Sequence, residues 1–212
     1  MLALGLVYAQ ASTLIESWEN TADGWTLPGA GGFYSIAFST TTGVTQGSYS
    51  WELWGTSSGS LTPIASSAAT TALTASLASA STLSFDVNVP SATDFGTYLG
   101  FDVAVYQPGG NLTGTTAYAT ADFASLTGYG IWTPATMGGQ ATLTWSMPTA
   151  LANALGANPG LATSLYISAV GYGSGFAYLD NVTVTAVPEP ATLALAGLGG
   201  LASLVVLRRK QS

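Results

Sequence analysis

Apolar and polar residues alternate with a period of two along several segments of the chain, which is the pattern of half-buried β-strands. The clearest segments are Ser81–Val89, Tyr98–Tyr106 and Ala141–Met147. Leu165–Val170 and Phe176–Thr185 are predicted as a final pair of strands, joined by the glycine-rich sequence between them. Several antiparallel strands around one core predict an all-β fold, a jelly-roll-like β-sandwich that covers residues 12–186.

Other segments give weaker signals. One strand is predicted to end at Trp54, because the loop sequence GTSSGS follows it. The next stretch is of low complexity, and Leu73, Ala75 and Leu77 allow one more strand there, with no register assigned. Only Ala150–Leu155 has a helical pattern.

Composition and charge narrow the range of functions. The 212 residues include ten carboxylates, three basic residues, no histidine and no cysteine, and the formal net charge is −7. Nucleic-acid binding requires cationic groups and is therefore not expected. Neither disulfides nor histidine-dependent nucleophiles can form. Neutral sugars and divalent cations fit such a chain as partners.

All three basic residues lie within the last five positions, as Arg208, Arg209 and Lys210. They follow seventeen uncharged residues, Ala191–Leu207. As a helix this segment would be about 26 Å long, somewhat less than the roughly 30 Å of a hydrocarbon core. It is predicted to be a short transmembrane helix, whose basic end stays in the cytoplasm while the anionic body lies outside.

The residues before this helix, Val187-Pro188-Glu189-Pro190, add a third part to the pattern. The ordered combination of VPEP, apolar helix and basic end resembles the PEP-CTERM sorting tails of exported bacterial proteins. The resemblance covers residues 187–212 and implies processing by an exosortase, a membrane enzyme of hosts that make exopolysaccharide. The alternative is a stiff polyproline linker before an ordinary tail anchor.

The start of the chain resembles a signal peptide in part. An apolar run from Leu2 to Val7 precedes Ala9-Gln10-Ala11, which is an A-x-A cleavage pattern before Ser12. Residues 1–11 are therefore interpreted as the remnant of a signal peptide. The alternative is an apolar first β-strand.

A second resemblance rests on two stretches, SWENTADGW at Ser17–Trp25 and AYLDNV at Ala177–Val182. They are similar to the opening and closing motifs of carbohydrate-binding-module-like jelly rolls. In that group the first and last strands lie side by side, and a structural Ca²⁺ is often held between them. The resemblance implies Glu19 and Asp180 as ligands, since Ca²⁺ prefers hard oxygen ligands. The alternative is that both are ordinary turn and edge carboxylates.

Catalysis would have to depend on paired carboxylates, as in glycosidases. The scattered candidates include Asp94 and Asp122, and also Asp86 and Asp102, which lie on the polar faces of consecutive predicted strands. Such residues more often keep the face of a sandwich hydrated, so no enzyme activity is expected.

Aromatic rings provide the candidate for glycan stacking. Trp54, Tyr129 and Trp132 lie in or near loop-like sequence, and Glu52 or Asn111 could bind sugar hydroxyls beside them. The alternative for each ring is a place in the core.

The sequence therefore predicts an exported, surface-sorted and non-catalytic protein of the extracellular polysaccharide matrix, with glycan binding as its possible activity. The alternatives are a structural or adhesive matrix protein without sugar binding and, less favoured, a carboxylate-based glycan enzyme.

Overall fold

The computed structural model describes residues 11–26, 33–58, 62–91, 99–110, 112, 123–126, 130–132 and 139–186. These residues form ten β-strands and two short α-helices. The strands are β1 (Ser12–Glu16), β2 (Phe33–Ser39), β3 (Ser50–Ser58), β4 (Thr62–Ser66), β5 (Ala80–Val89), β6 (Leu99–Tyr106), β7 (Phe123–Ser125), β8 (Gly130–Trp132), β9 (Gly139–Ser146) and β10 (Ser164–Ala186). The helices are α1 (Thr71–Ala78) and α2 (Thr149–Ala157).

The strands form two antiparallel sheets. Sheet A has the order β2-β3-β10-β5-β9. Strand β1 also belongs to sheet A. Strand β3 pairs with Tyr172–Leu179 of β10, and β1 pairs with the last residues of β10. Both strands lie on the side of β10 opposite β5. In sheet B, β4 and β6 flank the first half of β10, and β7 and β8 pair with the far side of β6. The predicted adjacency of first and last strands is thus confirmed.

The last strand differs from its prediction. Two strands joined by a glycine-rich turn were expected, but β10 runs without interruption for 23 residues and takes part in both sheets. Its first half pairs with β6 from Ser164 to Gly171, and its second half pairs with β3 from Tyr172 onwards. The glycines at 171, 173 and 175 let the strand pass from one sheet to the other, because they have no side chain that would have to pack on one face of a sheet.

The core lies between the two sheets. Phe85 of β5 and Phe101 of β6 meet edge to face across it, with ring centroids 5.6 Å apart, and Trp145 stacks on Phe85 at 5.0 Å. The alternation predicted for β5, β6 and β9 is confirmed, because the odd-numbered apolar residues of β5 and β6 are fully buried. A second aromatic group, Trp18 with Trp25 and Trp51, closes the core near β1.

Two local predictions were wrong. Residues Leu73 and Leu77 belong to helix α1 instead of a strand: they are four positions apart, so both face the core. The Thr70 side chain caps this helix by accepting a hydrogen bond from the Leu73 N–H at 3.0 Å. Strand β3 also continues past Trp54 to Ser58, because the second half of β10 supplies a pairing partner. The predicted helix near Ala150–Leu155 is confirmed as α2.

Within the described part of the chain, no helix is long and apolar enough to cross a membrane. The predicted span Ala191–Leu207, the VPEP motif, the basic end and residues 1–10 all lie outside the described residues.

Candidate functional site

The two carboxylates of the calcium prediction, Glu19 and Asp180, converge on one loop. This β2–β3 loop, residues 40–49, crosses sheet A where β1 ends and β3 begins along β10. Asp180 Oδ2 accepts hydrogen bonds from the backbone N–H groups of Thr45 at 2.6 Å and Gln46 at 2.8 Å. The Ser48 N–H donates to both Glu19 oxygens, at 3.1 and 3.0 Å. The carboxylates therefore clamp the loop from two directions.

Asp180 is the buried member of this clamp. Its side chain is inaccessible to solvent, and it also accepts bonds from Thr45 Oγ1 at 3.0 Å and the Asn181 N–H at 2.7 Å. Burial raises the pKa of Asp180, although the hydrogen bonds from Gln46, Thr45 and Asn181 oppose that rise. Glu19 is exposed and follows β1 instead of lying in it.

The donor set offers an incomplete shell for Ca²⁺. Calcium takes six to eight oxygens, whereas the oxygens of Asp180 and Glu19 receive N–H donors from the loop. No group of three or more carboxylates that could hold a metal occurs among the described residues. Backbone carbonyls of the loop would have to complete the site, and calcium binding stays a prediction.

A cavity of about 270 Å³ lies between β1 and α1. Glu16, Asp23 and Trp25 line one side of it, and Thr70 and Leu73 line the other. Burial raises the pKa of Glu16, and the Asp23 carboxylate adds to the rise, while hydrogen bonds from the Trp18 and Ser17 N–H groups oppose it. The volume lies below the roughly 300–1,000 Å³ typical of ligand pockets.

The predicted stacking residues do not form one platform. Trp54 is half-buried on the outer face of sheet A, opposite Phe176 of β10, which is 39% exposed. The backbone of Trp132 lies at the edge of sheet B, paired with Leu99. Tyr129 lies outside the described residues. Of the neighbouring tryptophans, Trp51 is in the core, as expected for at least one of them.

The clamped loop limits what the outer face of sheet A can bind. Gly43 lies against Tyr178, so an added Cβ would overlap the Tyr178 Cβ, and Tyr178 is only 9% exposed. A ligand that stacked on Trp54 and Phe176 would therefore meet the loop immediately along β10.

The outer face of sheet B offers a different arrangement. Tyr106 of β6 and Tyr166 of β10 are half-buried and pack edge to face, with centroids 6.2 Å apart. Alternation from buried Phe101 places Asp102 on the same outer face as Tyr106, and the pairing register places Ser168 opposite Asp102. We call these four residues the tyrosine face.

The residues beside the two rings are buried. Gly100 and Ala104 lie on the same side of β6 as Asp102, and both are buried, as is Ser168. Asp102 is only 2% exposed, so the two half-buried tyrosines are the accessible part of this face.

Sequence reasoning found only half of this face. The alternation in Tyr98–Tyr106 places Asp102 and Tyr106 on one face, which the structure confirms. No sequence pattern indicated that Tyr166 belongs to this face. Tyr106 is 60 residues away in the chain, and only the register of β10 against β6 brings the two rings together.

The structure does not bring together the candidate carboxylates Asp86 and Asp102. Because Phe85 and Phe101 meet in the core, the next residue of each strand points away from it. Asp86 therefore lies on the outer face of sheet A, where it binds Thr142 and Asn181, and Asp102 lies on the outer face of sheet B. The whole sandwich separates them. Asp94 and Asp122 lie outside the described residues.

Comparison with known proteins identifies the tail and the fold. The chain matches the PEP-CTERM protein-sorting motif over residues 186–210, which marks it as an exported, surface-sorted protein. No curated protein matches it.

Solved carbohydrate-binding modules share the β-sandwich. One, described as a module of the β-sandwich superfamily with promiscuous specificity, has a TM-score of 0.55 at 14% identity. The match covers 80% of this chain, which spans 60% of the length of that one. Another is the module CBM27-1 of Caldicellulosiruptor saccharolyticus in complex with mannohexaose, with a TM-score of 0.53 at 12% identity. It covers 82% of this chain and 96% of that one. At these identities the likeness concerns the fold alone.

Proposed function

We propose that this exported protein is a non-catalytic glycan-binding protein of the extracellular polysaccharide matrix and that the tyrosine face is its binding site. The observation that carries the proposal is the Tyr106–Tyr166 pair, with centroids 6.2 Å apart beside Asp102 and Ser168. Solved structures that share this fold are named as carbohydrate-binding modules, which supports the same function.

The chemistry of the face favours neutral sugars. An aromatic ring can stack on the apolar face of a pyranose, and a tyrosine hydroxyl can exchange hydrogen bonds with the hydroxyls of the sugar. Asp102 is the charged member of the four residues of this face, and the chain has a net charge of −7. Uronate-rich polymers would be repelled by both.

In this proposal the C-terminal tail determines where the protein is located. Residues Ala191–Leu207 form a membrane helix, the basic residues Arg208–Lys210 stay in the cytoplasm, and an exosortase-type enzyme recognises Val187–Pro190. The sandwich is held at the exported face of the membrane until processing, and it then reaches the cell surface or the matrix.

Affinity electrophoresis of the full chain in detergent, with neutral polysaccharides (β-glucan, xylan, mannan) and alginate, tests the binding site. We expect retardation by at least one neutral polymer. Tyr106→Ala and Tyr166→Ala should each weaken it about tenfold, since loss of a packed aromatic anchor costs about 1–2 kcal/mol. Tyr166→Phe retains the ring and should retain most of the binding. Trp54→Ala, on the other sheet, is the matched control.

The outcomes separate the alternatives. Binding that is lost with Trp54→Ala and kept with Tyr166→Ala would move the site to sheet A. Absence of binding across all polymers by a folded protein would favour the structural or adhesive alternative. Release of reducing ends from any polymer would revive the glycan-enzyme alternative.

A further inference from the structure

The last strand and the sorting tail meet without a linker. Ala186 is the final residue of β10, it lies opposite Ala80 of β5, and its N–H donates a 2.9 Å hydrogen bond to the Ala11 carbonyl. The sorting motif begins at this same residue. The folded sheet therefore continues up to the motif.

Only the four residues Val187–Pro190 separate Ala186 from the predicted membrane helix. The five Cα–Cα steps from Ala186 to Ala191 span at most about 18 Å even when fully extended. If Ala191–Leu207 cross the membrane, as the proposed function holds, the end of the sandwich at Ala186 stays within that distance of the bilayer surface. The inference below rests on that anchorage.

The strand ends beside Ala186 carry hydroxyl groups instead of charges. Pairing registers align Ser146 of β9 with Thr82 of β5, Thr82 with Thr185 of β10, and Thr185 with Ser12 of β1. One row of four hydroxyl residues thus crosses sheet A. We call this the hydroxyl row.

A second polar row follows one step further along the strands. Thr144, Ser84 and Thr183 are aligned there, and the Ser84 and Thr183 hydroxyls share a hydrogen bond of 2.9 Å. Along β5 and β10 the first carboxylates come in the next row, where Asp86 lies opposite Asp180. On β1, Glu16 lies opposite Val182.

Helices at this end are also uncharged. Helix α1 leads into β5 and α2 follows β9, and neither contains a charged residue. Asp86 is four residues from Thr82, about 13 Å along an extended strand. That exceeds the Debye length of about 8–10 Å at physiological salt. On β5 and β10 the acidic side chains therefore lie away from the tail.

We propose that the hydroxyl-row end of the sandwich rests on the phospholipid headgroups of the exported face. The short connection forces the contact, and the composition of the end permits it. Serine and threonine hydroxyls can donate hydrogen bonds to phosphate oxygens, whereas the carboxylate rows would be repelled by anionic lipids. Asp86, Asp180 and the tyrosine face then lie further from the headgroup layer or to its side.

Strand β9 offers a matched pair of positions for a test. Ser146 lies in the hydroxyl row and Gln140 lies six residues earlier, opposite Asn88. Both are exposed and have the same parity, so they share one face about 20 Å apart. The chain has no cysteine, so Ser146→Cys and Gln140→Cys can each be labelled at a single site.

The full chain, labelled with a fluorescent donor, is reconstituted into phosphatidylcholine–phosphatidylglycerol vesicles that carry an acceptor on their headgroups. We expect the donor at position 146 to lose most of its emission and the donor at position 140 to lose little. A Gly-Ser spacer of about 20 residues after Ala186, with an r.m.s. length of about 25 Å, should remove most of that difference.

The readouts separate this inference from the anchorage on which it rests. If the labelled chain does not float with the vesicles, the anchorage is wrong. If it floats and the two donors are quenched equally, or position 140 more strongly, the proposed orientation is overturned. The vesicles contain no processing enzyme, so quenching of the donor at position 146 cannot come from an enzyme complex.

Discussion

The carboxylate of Asp180 accepts a 2.6 Å hydrogen bond from the backbone N–H of Thr45, although 135 residues separate the two in the chain. Glu19 binds Ser48 three residues further along the same loop. The residues for which a metal was predicted thus already have a structural task, which is to fix the β2–β3 loop across the outer face of sheet A.

Removal of the buried clamp should destabilise the fold strongly. Asp180→Ala leaves the N–H groups of Thr45 and Gln46 without their acceptor, and each buried unsatisfied donor costs about 1–3 kcal/mol. Urea unfolding followed by circular dichroism should show a loss of at least about 2 kcal/mol in the free energy of unfolding, since two donors are affected. The control Glu19→Ala, at an exposed residue, should lose about 1 kcal/mol or less. Equal losses would show that burial does not determine the strength of the clamp.

Calcium binding can be tested at the same residues. If loop carbonyls complete a shell around Glu19 and Asp180, millimolar Ca²⁺ should raise the melting temperature and a chelator should lower it, because a ligand that binds only the folded state stabilises it. Mg²⁺ should have less effect, since it demands a tighter octahedral site. Asp180→Asn should abolish the Ca²⁺ response. If the melting temperature of the wild type does not respond to Ca²⁺, the carboxylates serve the loop alone.

Substitution of three glycines by alanine can distinguish the stability cost of backbone strain from that of steric overlap. Gly139→Ala should be nearly neutral, because its φ is ordinary and an added Cβ has open space. Gly109→Ala has the same open space but a φ of +72°, so it should lose about 1–2 kcal/mol. Gly43→Ala combines a φ of +74° with overlap on Tyr178 and should lose more than Gly109→Ala in urea unfolding. If Gly109→Ala lost more stability than Gly43→Ala, this would contradict the packing of the loop on Tyr178.

Glu16 should make stability depend on pH. Burial raises the pKa of Glu16, so the folded protein holds this proton more tightly than the unfolded chain. Its contribution to stability is complete below the ordinary glutamate pKa of about 4.3 and is lost as the pH rises through the raised pKa. Glu16→Gln cannot titrate. Urea unfolding from pH 4 to pH 7 should therefore show the wild type losing stability relative to the variant, and a pH-independent difference would contradict the assignment.

Local patterns predicted those parts of the fold that local residues determine. The alternation in β5, β6 and β9 identified the buried faces correctly, because large apolar residues contrast with Ser, Thr and Asp. Helix α1 was missed because TALTASLA offers almost no such contrast, and its cap at Thr70 resembles the surrounding low-complexity sequence. The extension of β3 depended on a partner strand more than 100 residues away.

Site prediction shows the same division. Glu19 and Asp180 were singled out through motifs at the two ends of the domain, and both bind the β2–β3 loop. The candidate pair Asp86 and Asp102 is separated, because these consecutive strands belong to different sheets. Tyr166 joined the candidate site only through the register of β10 against β6.

The sequence by itself determined where the charge lies and where the protein is sent, since net charge, an uncharged run and the VPEP motif are properties of composition and order. It also determined which faces of the regular strands are buried. Tertiary structure decided that one strand serves two sheets, that two tyrosines meet, that a loop is clamped by distant carboxylates and that four hydroxyl residues align beside the tail. These features depend on strand order and register, which non-local packing selects after the local preferences have been satisfied.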